Sequence, residues 1–191
     1  LCSSIPVAIA KIFGSKISMI APKDFEVATA FMGYQQLETN SSIMIKDLLA
    51  PFAGVSKGLT KESLMNQGVR VESLEQITFN ELPGIFITAE QTTNAVDYRK
   101  YFLVTGTEKE TIIMTGMTPK GNAELENSIK KALLSSVYDP EKVLTPLDAV
   151  DFEISTTGTD FVFAKSMSNM LIYNRDGKMP SETADKASFV I

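Results

Sequence analysis

The stretch YNRDGKMPSE, residues 173–182, has alternating oxygen-bearing side chains, a glycine and a later carboxylate, the ingredients of a calcium-binding loop. Such a loop takes ligands from its first, third and fifth positions, needs glycine in the sixth and closes with a bidentate glutamate in the twelfth. With Gly177 sixth, Asn174 and Asp176 fall third and fifth. Ile172 then stands first without a ligand oxygen, and Thr183 stands twelfth with Glu182 one place short. The flank MLIYN alternates as a strand does, whereas this kind of loop follows a helix. The segment reads as a turn in which Asn174, Asp176 and Gly177 supply positive φ and local side-chain hydrogen bonds.

Other constellations resolve in the same direction. SIKK, residues 128–131, fits the S-x-x-K pattern of penicillin-recognising enzymes, but the companion S-D-N and K-T-G are missing and Ser128 and Lys131 fall at the border of a helix's polar face. TGMTPKGN places Gly116, Lys120 and Gly121 before a helix, yet a phosphate loop needs glycine, four residues and then Gly-Lys-Ser/Thr, and here lysine precedes glycine. Asp148, Asp151 and Glu153 cluster at the start of an alternating segment. A glycosidase pair would face across a cleft; on a strand Asp151 and Glu153 mark its solvent side. Met167, Met170 and Met179, with Met32, Met44, Met114 and Met117 in strands, read as core filler ahead of an adaptable binding groove. Asn40 begins NSS, a sequon only in a glycosylating cell.

What is missing narrows the chemistry further. The chain of 191 residues has no histidine and one cysteine, Cys2. The commonest general base and the commonest transition-metal ligand are therefore gone, as are disulfides within the chain and thiolate cages. No residue takes a catalytic, cofactor-binding or metal-ligating role, and no cofactor is expected. A net charge of -5 argues against a nucleic-acid partner, because duplex binding needs a basic face. The nearest basic cluster, Lys130 and Lys131 with Arg99 and Lys100, is small. With 44% apolar and 21% charged residues the composition is that of a soluble globular domain. The start at Leu1 implies that something upstream was removed, so a membrane anchor would lie there; no apolar run spans a bilayer. CSS at residues 2–4 is compared with an acylated lipoprotein cysteine, although Leu1 before it is large, and an ordinary thiol on a frayed terminus is the preferred reading. The apolar stop at Ile191 leaves room for continuation beyond it.

The elements that must position these residues follow from period and punctuation. Residues 5–13 have helical spacing and end at Gly14. KISMIAP, FEVATAFM, YQQLET and SIMIKDLL read as strands, with Gly33 as a turn. LTKESLMNQG reads as a two-turn helix capped by Thr60 and stopped at Gly68. VRVESLEQITFN predicts one strand face formed by Val69, Val71, Ser73, Glu75, Ile77 and Phe79. ELPG is then a turn, GIFITAEQT a strand, and residues 97–119 a hairpin joined at TGTEKE. Leu125, Ile129, Ala132, Leu133 and Val137 make one stripe of a helix over residues 122–137, capped near Asn122. Strands return in VDFEIS, FVFAK, NMLIYN and SFVI. The order implies an α+β fold with helices covering a mainly antiparallel sheet, in a single domain of residues 1–191 with its core at 16–138 and a C-terminal strand extension at 139–191.

From residue 16 to 136 the order and spacing resemble the PsbP-like fold, found in the photosystem II extrinsic protein PsbP, a nuclear Ran-binding protein and exported DcrB-type bacterial lipoproteins. The resemblance rests on a first strand running into APKDF, on SIMIKD before a two-turn helix, on LPG between long strands, and on the helix ending IKKALLSS. It implies an α/β/α sandwich and an accessory or binding role on a larger assembly, since members are mostly non-catalytic. It also implies an exported protein, periplasmic or membrane-anchored and facing outward. The expected function is a non-catalytic module docking on an unidentified protein partner. The alternatives are a small-ligand or lipid carrier, and a histidine-independent enzyme using carboxylate, serine or lysine chemistry.

Overall fold

Long alternating segments joined by two-residue turns dominate the architecture. The computed structural model describes residues 10–12, 14–142, 154–167, 170–183 and 187–190. These fall into two units, Leu1–Lys142 and Val143–Ile191.

In the first unit, β1 (Ala10–Lys11) and β2 (Ile17–Met19) precede β3 (Glu26–Val27), β4 (Gly33–Gln36) and β5 (Ser41–Leu48). Two short helices follow, α1 (Phe52–Lys57) and α2 (Lys61–Met65). Then come β6 (Val69–Phe79), β7 (Leu82–Thr93), β8 (Val96–Gly106), β9 (Thr111–Pro119), α3 (Ala123–Leu134) and β10 (Val137–Tyr138). The main sheet has seven strands in the order β3-β4-β5-β9-β8-β7-β6, every neighbouring pair antiparallel. The meander β6–β9 is closed by tight turns at Asn80–Glu81 (φ 48° and 66°) and Asn94–Ala95 (φ 52° and 61°). Positive φ at both turn positions matches the twist of the flanking strands, and asparagine tolerates it. A second sheet, β1-β2-β10, is also antiparallel.

Both faces of the main sheet carry cores. On the first face Ile43, Ile45, Phe86, Leu103, Ile112 and Met114 pack with Ile129, Ala132 and Leu133 of α3 and with Ile17, Met19 and Tyr138 of the small sheet. Ile129 and Leu133 have no exposed surface, and burial of each contributes about 2 kcal/mol. The helix can lie this close because the strand beneath it carries Gly116, where a Cβ would sit 2.3 Å from Ile129 Cγ2. On the second face Ile85, Ile87, Ala89 and Val69 pack with Leu64 of α2 and with Phe52 and Leu59. Helices on both faces of an antiparallel sheet make this an α+β fold, as the sequence implies.

The second unit contributes β11 (Val162–Met167), β12 (Met170–Asn174) and β13 (Ser188–Val190), antiparallel in that order. Phe163, Tyr173 and Phe189 stand opposite one another, with Tyr173 and Phe189 stacked at 4.8 Å. Among the described residues no helix is long and apolar enough to cross a membrane.

Several expectations are corrected. Residues 69–79 do not present one face: a bulge between Val71 and Ser73 turns Val69 and Val71 to the second core and Ile77 and Phe79 to the first. The turn expected at ELPG lies one step earlier, at Asn80–Glu81, and Pro83 and Gly84 are inside β7. Gly33 is a strand residue, not a turn; its φ of 139° lets it pass against the Ile43 carbonyl, where a Cβ would come within 1.9 Å. Only Glu26–Val27 of FEVATAFM is a strand. The helix expected over 5–13 lies largely outside the described residues, and Ala10–Lys11 within it is a strand paired with β2. The strand VDFEIS falls mostly outside them as well, together with Asp148, Asp151, Glu153 and Cys2.

Candidate functional site

The second face of the main sheet is covered unevenly, and the reason is local. Helix α1 has six residues and α2 five. Thr60 starts α2 with a reciprocal cap, Ser63 N–H donating to Thr60 Oγ1 and Thr60 N–H to Ser63 Oγ, both at 3.1 Å. Gly68 at φ 75° turns the chain back into β6. Helices this short shield the part of the face around Ile85, Ile87 and Val69. Across β5, β9 and β8 the register makes three rows: Lys46–Ile113–Val104, Met44–Thr115–Phe102 and Ser42–Met117–Lys100, with Tyr98 beside the last. Ile113, Thr115 and Met117 are half-buried, Met44 is 43% exposed and Lys46 is exposed. Val104 is fully buried and Phe102 packs against the second core, so the accessible part is a mainly apolar strip along β5 and β9 with Lys46 at one corner and Lys100 at the other.

Lys100 is half-buried there, and its Nζ donates to Gln91 Oε1. Burial lowers its pKa. Arg99, one residue away, points through the opposite face, so the basic cluster expected from Arg99, Lys100, Lys130 and Lys131 is not one surface. Lys130 instead lies over the Phe86 ring, 5.5 Å from its centre.

The first face ends in a charged row. Arg70, Glu90 and Arg99 stand side by side on β6, β7 and β8. Glu90 is buried and ion-paired with Arg70, Lys120 and Arg99, the last at 3.3 Å. Arg99 also meets Glu72 and, at 3.4 Å, Glu126 in the first turn of α3. The Lys120 ammonium, followed by Arg70, holds the Glu90 carboxyl down at about 2 despite burial. Three cations answer three carboxylates, and the set locks the start of α3 onto the sheet.

A second polar cluster joins the two sheets. Lys16 Nζ donates to Glu110 Oε1 at 2.6 Å and to the Pro140 carbonyl at 2.9 Å, and Tyr138 OH donates to Glu110 Oε1 at 2.8 Å. Asp47 lies beside them with Oδ1 buried and without a hydrogen-bond partner among the described residues. Burial, then the Glu110 charge, push Asp47 up to about 6 against the opposing pull of Lys16. Burial and the bond to Glu110 raise Tyr138.

The motifs read from sequence are not brought together. Gly116 and Gly121 are structural, Gly121 N–H donating to Glu126 Oε1 at 3.0 Å, and Lys120 belongs to the charged row. Ser128 is half-buried, while Lys130 and Lys131 line a shallow depression of about 350 Å³ on α3 with Asn127, Leu134 and Ser135. In the segment 173–182, Tyr173 and Asn174 end β12 and the rest is a turn, in which Gly177 (φ 64°) has the positive φ expected while Asn174 and Asp176 do not. Asp176 accepts from Ser181 Oγ and from the backbone N–H groups of Lys178, Glu182 and Thr183, which together hold its pKa down although desolvation opposes them. Met114 is fully buried, whereas Met44 and Met179 are exposed. Among the described residues no group of three or more acidic, histidine or cysteine side chains is placed to share an ion.

Sequence reasoning missed both polar clusters and the open strip. A signal existed for the charged row. Phe86, Thr88 and Glu90 alternate on one face, as do Leu103, Tyr101 and Arg99, so a charge sits where the pattern calls for core. No such signal marks Asp47 with Lys16, whose partners lie far off in the chain.

No protein-family model matches the sequence, and the comparison with curated proteins finds no match. Solved structures do resemble it. LpqN of Mycobacterium tuberculosis, involved in cell envelope biogenesis, shares 9% identity over 72% of this chain and 88% of its own, with a TM-score of 0.52. A cyanobacterial PsbP from Synechocystis shares 14% over 73% of this chain and 99% of its own, at 0.46. A Bacteroides thetaiotaomicron protein shares 12% over 68% of this chain at 0.43, and the chain spans about half of that protein, 48%. The likeness to LpqN is one of fold, and the likeness to the cyanobacterial PsbP is weak.

Proposed function

We propose that this chain is a non-catalytic accessory or binding module, exported or envelope-associated, that docks on a larger protein assembly through the open strip of its main sheet. The observation that carries the reading is the partly exposed, mainly apolar surface of Met44, Ile113, Thr115 and Met117, which lies outside the core that the two short helices cover. Methionine and tyrosine at such a surface suit an interface, because the unbranched thioether adapts its shape to a partner and the tyrosine ring adds apolar area with a polar tip. Envelope placement takes its support from the implications of the PsbP-like resemblance and from LpqN, which shares the fold.

Among the described residues, a carboxylate pushed up to about 6, Asp47, and the half-buried Lys100 with its lowered pKa are features that favour an enzyme. The neighbours of Asp47 are engaged in holding strands: Glu110 takes both Lys16 and Tyr138. We assign the cluster to architecture.

The test is photo-crosslinking in the native cell, with the reactive side chain placed at Thr115 on the strip or at Glu124 on the outer side of α3. One discrete adduct is expected from Thr115 and none of that size from Glu124, and Met44→Glu should remove it. Identical patterns from both positions would sink the reading.

A further inference from the structure

We infer that the strip receives an acidic amphipathic helix of a protein partner, with apolar side chains on Met44, Ile113 and Met117 and carboxylates on Lys100 and Lys46. The inference rests on the docking reading above and adds the chemistry of the partner. Its basis is a mismatch in how the cations of this unit are paired. Lys16 and Arg99, also held at low exposure, each meet carboxylates. Lys100 is half-buried on an apolar face, and among the described residues its ammonium meets the neutral Gln91 amide but no carboxylate. Of its three donors, one is accounted for. Lys46, at the opposite corner, has no ion pair among the described residues either. Glu26, on the same side of the sheet by register, sits out on the edge strand and bonds Gln35 at 3.2 Å.

A half-buried ammonium without a counter-charge costs desolvation that an arriving carboxylate recovers. The lowered pKa of Lys100 has that cause. The spacing also limits the shape of the guest. Lys46 lies four residues along and two strands across from Lys100 in the register, a diagonal of about 16 Å between Cα positions. A helix rises 1.5 Å per residue, so one laid along that diagonal offers carboxylates about eleven residues apart, with two to three turns of apolar side chains between them.

The experiment titrates the full chain with a designed helical peptide of about 18 residues that has leucines on one face and glutamates beside them. Its counterpart replaces every glutamate by lysine. Methyl NMR of the methionines and isoleucines reports the site. Shifts at Met44, Met114, Met117 and Ile113 are expected to concentrate on Met44, Met117 and Ile113, with the lysine peptide weaker by about tenfold or more. Lys100→Met keeps the apolar stem and should weaken the acidic peptide about fivefold or more, with the spectrum otherwise preserved. Equal binding of both peptides, or no effect of Lys100→Met, would overturn the inference. So would failure of both peptides while the Thr115 adduct persists, which leaves docking standing and removes its acidic helix. Loss of the Thr115 adduct as well would take both down. Binding of phosphatidylglycerol vesicles through the same methyls, with neither peptide bound, would replace the protein partner by a lipid surface.

Discussion

At the scale of single residues, this protein sets two carboxylates in opposite environments. Glu90, surrounded by Lys120, Arg70 and Arg99, is held at about 2, so its contribution to stability is present above the ordinary carboxylate range and is lost as pH falls toward that value. Asp47, buried beside Glu110, is raised from 3.8 to about 6. The folded state therefore binds its proton more tightly than the unfolded chain does. Stability from this group is greatest below pH 4 and falls as pH rises through the interval between those two values. The two windows barely overlap. Urea denaturation of the protein and of Asp47→Asn at intervals from about pH 4 to 7 should show the wild type losing of order 2 kcal/mol relative to the variant, after allowance for partial exposure. Parallel curves would mean that Asp47 ionises as it would in water. Asp47 was illegible in the sequence because its environment is assembled from residues near 16, 47, 110 and 138. Glu90 was legible in principle, since a charge interrupted an inward-facing alternation.

At the scale of elements, the fit of α3 on β9 depends on an absent side chain. Ile129 is β-branched and buried, with little freedom of rotamer in a helix. A methyl group at residue 116 would meet its Cγ2 at 2.3 Å and Leu133 Cδ1 at 3.2 Å, so Gly116→Ala should destabilise by about 2 kcal/mol in urea denaturation with an unchanged slope. A neutral outcome would show that α3 can lift without cost. The helix was plain from sequence over Ala123–Leu134, because most of its stripe and its cap, Asn122 Oδ1 accepting from Leu125 N–H at 3.1 Å, are local, whereas Val137, expected in the stripe, lies exposed in β10. The same holds for α2, whose Thr60 cap and Gly68 stop are both present. Strand β6 was misread because a bulge changes which side chains face inward without changing the residue types, and its cause is the pairing with β7.

At the scale of the molecule, the seven strands and both cores lie within Leu1–Lys142. We propose accordingly that residues 16–138 form the cooperative core and the remainder an extension. A fragment of residues 1–142 should then keep the far-ultraviolet circular dichroism and dispersed methyl spectrum of the main sheet. A collapsed spectrum would show that the C-terminal strands are needed for folding. The second unit has its own ordering device in the aromatic row Phe163, Tyr173 and Phe189, extended by Phe161 edge-on to Phe189 at 5.1 Å. The meander joins neighbours in sequence, while the pairing of β5 with β9 closes a long loop, so its closure entropy is the larger.

Composition and local pattern determined, without any structure, that the chain has no histidine chemistry and that helices cover a mainly antiparallel sheet, and the net charge of -5 argues against a duplex partner. They also placed α2, α3, β5 and the hairpin of β8 and β9, because capping, period and turn chemistry act over a few residues. Tertiary structure alone decided which part of a sheet face is left accessible among the described residues, which half-buried lysine meets no carboxylate among them, and which acid is driven from its ordinary pKa. Each of those depends on what residues distant in the chain place nearby, or leave uncovered, and burial and charge pairing are properties of that arrangement.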